Sequence, residues 1–191
     1  MTRLRNSPAG VIRHIQYDLT EAGRLNGSRR PLNGSAREYE SYKDNKDARK
    51  VISQALLNTE ALALWRTPKG MKAHVHAFDT REGGAYRMSL TYTDPKSSAK
   101  GKTSEDTGKF QSKFIELVPY EKMVELIEFE SFDPSFASEM TMTTSWTDVE
   151  EGTRVAVLCE NLPTGMRSED NERGCRSSLQ NLARLVEKAN S

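Results

Sequence analysis

Six successive segments between residues 71 and 161 alternate apolar and polar side chains, and this pattern constrains the fold more than any other feature of the chain. A period of two is typical of strands that bury one face. Short polar turns, such as "REGG" after the first segment, favour pairing between neighbours. The sequence therefore predicts an antiparallel meander. The six segments are "MKAHVHAFD", "AYRMSLTY", "GKFQSKFIELV", "KMVELIEFES", "EMTMTTSW" and "TRVAVLCEN".

Helical periodicity flanks the predicted sheet on both sides. "DARKVISQALLNTEALALW" predicts two short helices with a break near Asn58. After the last strand, a long helix is predicted to begin at Ser168, with an apolar stripe of four residues spaced 4, 3 and 4. At about 1.5 Å per residue it is roughly 30 Å long, enough to cover an apolar sheet face. The stripe consists of Cys175, Leu179, Leu182 and Val186.

One strand interrupts its own alternation. In "GKFQSKFIELV", Phe114 and Ile115 are adjacent apolar residues, and a strand can place only one of them on its buried face. An extra residue at this step restores the phase of the strand. We therefore predict a β-bulge at Phe114–Ile115.

Composition limits the partners and the location. The 191 residues include 28 basic and 27 acidic side chains, which favours neither nucleic acid nor an anionic membrane. Because no apolar run reaches the roughly 20 residues that span a bilayer, and no secretory signal is apparent, we expect a cytoplasmic protein without membrane insertion. Two cysteines are too few for a disulfide scaffold.

Residues 1–36 differ from the rest of the chain in charge. They hold six arginines and two acidic residues, a net charge of +4, and they repeat the turn-forming pair Asn-Gly. We interpret this segment as a flexible basic extension. A targeting sequence is the alternative.

His74 and His76 project from the same face of a predicted strand, which is one way to begin a metal site. A zinc site needs three or four ligands, and the chain has only one other histidine, His14. Cys159 and Cys175 could complete a set of four, but their positions lack ligand-type spacing. We therefore expect an ordinary strand, no metal and no cofactor.

Signatures of catalysis are also missing. A phosphate-binding loop requires a helix directly after its glycines, and no helix follows the glycines of "REGGAY". No nucleophile elbow is present either. Four closely spaced acids could supply an acid–base pair if two of them met in a cleft, although such charges usually border strands. We assign no catalytic residue and interpret both cysteines as buried thiols. The acids are Glu121, Glu125, Glu128 and Glu130.

Five stretches in this order resemble the helix-grip superfamily called SRPBCC, which includes START lipid-transfer domains and birch-pollen-allergen-like proteins. Within it, the chain is similar to the C-terminal-domain family of the activator of heat-shock-protein-90 ATPase. The resemblance covers about residues 45–190. The stretches are "TEALALW", "HAFDTREGGAYRMSLTY", "FIELVPYEKMVELIEFE", "EMTMTTSWTDVEEGTRVAV" and "RGCRSSLQNLARLVE".

The resemblance implies an α+β helix-grip fold, in which a curved antiparallel sheet of six to seven strands wraps around the C-terminal helix. It places this domain at residues 37–191. The family has a strand directly before the first helix, and "EYESY" at residues 38–42 fits by position, while "VIRHIQY" at 11–17 fits by composition. Position favours residues 38–42. The final helix begins Gly174–Cys175, where the family often has Gly-Trp.

The resemblance also implies a cavity between the final helix and the sheet that holds a small hydrophobic molecule. A filled core is the alternative for the same side chains. A second possible function is that of a co-chaperone-like module that stimulates a chaperone ATPase, and a third is a cyclase or hydratase, for which Tyr86 and Glu128 are the first candidates. The cavity candidates are Tyr86, Met88, Phe110, Phe114, Phe129, Met142, Trp146, Leu179 and Leu182.

Overall fold

Seven antiparallel strands and three α-helices make up the fold in the computed structural model, which describes residues 13–20, 46–94, 101–149 and 152–189. A short 3₁₀ turn at Pro134–Phe136 separates the fifth and sixth strands. The strands are β1 (Arg13–Thr20), β2 (Met71–Phe78), β3 (Ala85–Tyr92), β4 (Thr107–Val118), β5 (Lys122–Phe129), β6 (Met140–Val149) and β7 (Gly152–Glu160). The helices are α1 (Lys46–Leu56), α2 (Thr59–Trp65) and α3 (Ser168–Ala189).

The strands lie in the order β1-β7-β6-β5-β4-β3-β2, and every neighbouring pair is antiparallel. β2 to β7 form the predicted meander, in which each strand pairs with the next one along the chain. The sheet is curved and is accompanied by the C-terminal helix, so the predicted helix-grip fold is confirmed.

The predicted position of the first strand is wrong. β1 occupies Arg13–Thr20 and pairs with β7 along its whole length, from Arg13 opposite Cys159 to Thr20 opposite Gly152. Strand-forming composition prevailed over proximity, because a longer connection adds little loop-closure cost, about 0.6 kcal/mol for each doubling. The sheet thus includes residues that we had placed in the extension 1–36. Residues 38–42 lie outside the described residues. The remaining residues of the extension, 1–12 and 21–36, also lie outside them.

The predicted bulge in β4 is confirmed. The register between β4 and β5 shifts between Phe114 and Glu116, and Ile115 is 48% exposed while Phe114 is buried. A second register shift, which we did not predict, lies between Val75 and Ala77 of β2. The β2–β3 turn contains Gly83 with φ of 75°, a conformation that favours glycine.

The concave face of the sheet and the apolar stripe of α3 share one core. Leu179, Leu182 and Val186 of the predicted stripe are buried, and Cys175 is half-buried. α3 also packs against α1, α2 and β1. In the part of the chain that the structure describes, no helix is long and apolar enough to cross a bilayer.

Candidate functional site

A fully buried carboxylate lies within the sheet and accepts hydrogen bonds from three polar side chains of the interior. Glu125 on β5 is 0% exposed, and it accepts hydrogen bonds from Tyr86 Oη at 2.7 Å and Ser112 Oγ at 2.9 Å. Arg66 Nη1 and Nη2 donate to the same carboxylate at 3.2 and 3.3 Å. We call these four residues, Arg66, Tyr86, Ser112 and Glu125, the carboxylate cluster.

Strand register brings the cluster together. Alternate residues of β5 point inward, so Glu125 lies between the buried side chains of Met123 and Ile127. Tyr86 of β3 is directly opposite Ser112 of β4, and β4 in turn pairs with β5. Three neighbouring strands therefore direct polar side chains into one part of the core.

Arg66 reaches the cluster from the helical layer. It is the C-cap residue of α2, and its guanidinium lies 5.0 Å from the ring centre of Trp65 and 5.9 Å from that of Tyr86. Such contacts with aromatic faces are favourable for a cation. The Arg66–Glu125 pair thus connects the end of α2 to the middle of the sheet.

The electrostatics of the cluster favour a fixed ion pair. Burial is the largest effect on the pKa of Arg66 and lowers it, but the charges of Glu125, Tyr86 and Cys175 together with the hydrogen bond to Glu125 outweigh burial and leave the pKa raised, so the guanidinium stays charged. Burial raises the pKa of Tyr86, which keeps its hydroxyl protonated as a donor to Glu125. With donors on both oxygens, the carboxylate is satisfied, and the cluster connects α2 to three strands of the sheet.

Of the four acids considered as sources of an acid–base pair, only Glu125 lies in the interior. Glu121 and Glu128 are exposed, and Glu130 forms a surface ion pair with Arg87. Tyr86 consequently bonds to Glu125 and not to Glu128, its suggested partner. Arg66 and Ser112 were not predicted at all.

The nine cavity candidates do meet in one interior. Eight of them are buried and Phe129 is half-buried, and all belong to or pack against the same core cluster. Several are in ring contact: the ring centres of Tyr86 and Phe114 are 5.7 Å apart, and those of Phe110 and Phe129 are 6.1 Å apart. Ligand binding among these side chains stays a prediction.

Three inward-facing side chains of β6 and β7 carry polar atoms with no hydrogen-bond partner among the described residues. They are Thr144 Oγ1, Trp146 Nε1 and Thr153 Oγ1, and each residue is at most 2% exposed. Buried polar atoms in native proteins nearly always have a partner. Such atoms are therefore suited to bonding a group outside the described residues.

An open concavity of about 680 Å³ lies where α1 and α2 face the C-terminal part of α3. Its wall is largely apolar, and Tyr120 of the β4–β5 turn closes one side. Ala55 and Val186 are also members of the buried core, so the floor of the concavity borders the interior. The apolar lining comprises Val51, Ala55, Leu57, Ala61, Leu185 and Val186, with Tyr120.

The histidine pair lies on the outer surface. His74 and His76 are exposed, their ring centres are 4.6 Å apart, and His76 Nε2 is 3.1 Å from Ser89 Oγ. Partial burial, the neighbouring imidazole and nearby cations lower the pKa of His76. Among the described residues, no group of three metal-binding side chains is found.

A curved antiparallel sheet with a C-terminal helix against its concave face defines a helix-grip protein. The chain belongs to the family described as activator of Hsp90 ATPase homolog 1-like protein, whose model matches residues 49–187. A comparison with curated proteins finds no match.

Solved structures share the fold at low sequence identity. A protein from Chromobacterium violaceum is 23% identical with a TM-score of 0.67, over 95% of this chain and 99% of that one. A protein from Staphylococcus epidermidis is 14% identical with a TM-score of 0.59, over 98% and 95% of the two chains. The AHSA1-like protein from Aeromonas hydrophila is 14% identical with a TM-score of 0.52, over 74% and 86%.

Removing the charge of Glu125 should destabilise the chain strongly. Glu125→Gln leaves Arg66 buried without a counter-charge, and the free energy of unfolding should fall by about 3–5 kcal/mol in urea titrations. Tyr86→Phe removes one hydrogen bond to the buried charge and should cost about 1.5–3 kcal/mol.

The matched control is Glu128→Gln on the exposed face of the same strand, which should change stability by less than about 0.5 kcal/mol. The double change Arg66→Met with Glu125→Leu should recover part of the loss, because no unpaired charge remains, although the hydroxyls of Tyr86 and Ser112 lose their acceptor. Equal effects of Glu125→Gln and Glu128→Gln would contradict the assignment.

Proposed function

We propose that this protein binds a small, largely apolar molecule between α3 and the concave face of the sheet. The observation that carries the proposal is the pair of inward-facing polar atoms, Thr144 Oγ1 and Trp146 Nε1, that lack a partner among the described residues while apolar side chains surround them. Ligand sites in proteins combine an apolar lining with a few polar groups that orient the ligand.

The two atoms limit the chemistry of the ligand. An indole N–H is a donor only, and a threonine hydroxyl can donate as well as accept. Both residues are on β6, two positions apart, and therefore project from the same face of the strand. A carbonyl, ether or hydroxyl oxygen of the ligand could accept from both. This fits an apolar molecule with one oxygen acceptor.

The concavity beside α3 is the proposed entrance. Val186 lines it, and Leu182, one helical turn earlier, is a fully buried cavity candidate. On the sheet side, Tyr120 of the concavity precedes Glu121, whose carbonyl accepts a hydrogen bond from the Trp146 amide at 2.9 Å. A ligand that entered here would meet Trp146 first and Thr144 next.

The satisfied carboxylate cluster lies further along the same path. Thr144 is opposite Met123, and Met142 is opposite Glu125, so the cluster begins one inward position beyond Thr144. The donors of the cluster already bond to Glu125, so they are not free to bond a ligand. The ligand site therefore ends at the cluster. Met142 and Met123 lie at this boundary, and methionine side chains adapt readily to apolar ligands.

The indole signals of the two tryptophans provide an internal comparison for ligand binding. Trp65 Nε1 already donates to the carbonyl of Ala55 at 3.0 Å, whereas Trp146 Nε1 has no partner among the described residues. In ¹⁵N-labelled protein, a bound ligand should move the Trp146 indole signal downfield and leave that of Trp65 nearly unchanged. The panel would contain fatty acids, flavonoids and polyketide-like aromatics, and Trp146→Phe assigns the signal.

Saturable shifts of the Trp146 signal together with amide shifts at Leu182 and Met142 would identify the site. If every compound of the panel left both indole signals in place at saturating concentration, the interior would be a filled core and the proposal would fail.

Thr144→Val should weaken ligand binding without unfolding the chain. The substitution removes the unpartnered hydroxyl at nearly constant shape, so stability should be unchanged or slightly higher. Loss of one hydrogen bond of about 1–1.5 kcal/mol should raise Kd by roughly 5–12-fold in calorimetric titration. Thr143→Val, on the opposite face of β6, is the matched control and should leave Kd unchanged. Equal affinities of the two variants would exclude Thr144 from the site.

A second proposed function is a co-chaperone-like interaction with a chaperone ATPase of the kind named in the family description. Phe132, directly after Ser131 in the β5–β6 connection, is fully exposed and lines a concavity of about 230 Å³ together with residues 101–105. Exposed aromatic side chains commonly anchor protein interfaces. This observation favours a protein contact on that loop.

The purified chain should then raise the ATPase rate of its host chaperone in a steady-state assay. Phe132→Ser should remove the effect, whereas the exposed Leu64→Ser on α2 should retain it. An unchanged rate at saturating protein would eliminate this second function. The cytoplasmic location that both functions presuppose remains a prediction.

A further inference from the structure

The two cysteines of the chain meet across the interface between the sheet and the last helix. Cys159 of β7 and Cys175 of α3 have their sulfur atoms 3.9 Å apart, although the sequence separates them by 16 positions. Cys159 is completely buried, and Cys175 is half-buried. Because the chain contains only these two cysteines, one intramolecular pairing is possible.

The surroundings of the pair affect the two thiols differently. The positive charge of Arg66 lowers the pKa of both thiols, while the charge of Glu125 raises that of Cys159. The hydrogen bond with Cys175 is the largest effect that lowers the pKa of Cys159, while the same contact and burial raise the pKa of Cys175. Cys159 thus loses its proton more readily than Cys175, and Cys175 is the more exposed of the two.

We propose that Cys159 and Cys175 are a redox site, at which a hydroperoxide converts the two thiols into a reversible disulfide that links α3 to β7. The sulfur atoms, now 3.9 Å apart, must approach to about 2.05 Å to form the bond. The site is independent of the proposed ligand.

The chemistry balances with a hydroperoxide as the oxidant. The half-buried Cys175 sulfur attacks one peroxide oxygen, the O–O bond breaks, and the alkoxide or hydroxide that leaves takes up the proton of the Cys175 thiol. The adjacent Cys159 sulfur attacks the sulfenic acid on Cys175, the S–O bond breaks, and the hydroxide that leaves takes the Cys159 proton to form water as the S–S bond forms. Two electrons pass from the two sulfur atoms to the peroxide, and a dithiol reductant reverses the reaction.

The disulfide would change the mobility of the last helix. Cys175 precedes the buried residues Leu179 and Leu182 on α3, so a covalent link at Cys175 restrains the part of the helix that covers the concave face. A bridge between the two positions also closes a loop in the unfolded chain, and this restricts the unfolded state. Oxidation should therefore stabilise the fold and slow local opening of α3.

The test treats the reduced, full-length protein with hydrogen peroxide and follows thiols, mass and stability. Two free thiols should fall to none in denaturant, the chain should stay monomeric on a non-reducing gel, and proteolysis should yield one linked peptide containing residues 159 and 175. The melting temperature should rise by roughly 5–10 °C, and dithiothreitol should restore the starting value. Amide hydrogen exchange in α3 should slow in the oxidised form.

Two variants complete the experiment. Cys175→Ser retains Cys159 and should show neither the linked peptide nor the rise in melting temperature, and Cys159→Ala tests the same point from the buried side. Because melting temperature is compared before and after peroxide within each variant, a lower starting stability does not obscure the result. Linkage only between chains, oxidation to sulfinic acid without linkage, or a linked chain whose melting temperature and α3 exchange do not change would each overturn the proposal.

Discussion

The ion pair between Arg66 and Glu125 determines how the helical layer is attached to the sheet. A charge buried in a protein interior is tolerated only when it is paired and hydrogen-bonded, so neither residue can move without the other. Glu125 is held by the register of β5, and Arg66 is held by the end of α2. The backbone around Arg66 also binds α3: Ser178 Oγ donates to the Arg66 carbonyl at 3.2 Å, and Asn181 Nδ2 donates to the Thr67 carbonyl at 2.7 Å. The sheet, α2 and α3 therefore meet at residues 66–67.

The interior contains two kinds of polar group, and they have different consequences. In the carboxylate cluster, every contact with Glu125 is a hydrogen bond of 2.7–3.3 Å, which makes the cluster rigid and specific. On β6, Thr144 and Trp146 bury polar atoms without a partner among the described residues. A satisfied group contributes to the fold, whereas an unsatisfied one costs free energy until something binds it. This difference is why we assign a structural role to the cluster and propose ligand contact at β6.

Periodicity predicted most of the fold because it records burial directly. The inward faces of β6 and β7, the stripe of α3 and the bulge after Phe114 all follow from side-chain alternation, and the structure has them as expected. β1 was misplaced because two short candidate segments competed, and nothing in the local pattern reports that β7 has a free edge for residues 13–20. Pairing between distant segments is a property of the whole sheet, which sequence periodicity does not contain.

The carboxylate cluster was only partly predictable. Glu125 occupies an apolar phase of "KMVELIEFES", between Met123 and Ile127, and this phase distinguishes it from Glu128. The phase alone would have predicted that Glu125 is buried. Arg66 leaves no comparable trace, since a cationic residue at the end of a helix is ordinary and usually exposed. Its partner is 59 positions away, so the pairing becomes visible only when α2 is placed over the sheet.

The attachment of α3 is consistent with the proposed position of ligand entry. Ser178 and Asn181 bind the backbone at residues 66–67 through directional hydrogen bonds, and the two cysteines meet on the N-terminal side of this point. Beyond it, the buried contacts of Leu182 and Val186 are apolar and non-directional. The concavity of about 680 Å³ lies at this apolar end. The proposed entry beside Val186 therefore lies away from the hydrogen bonds of residues 66–67 and is compatible with an intact ion pair at Arg66.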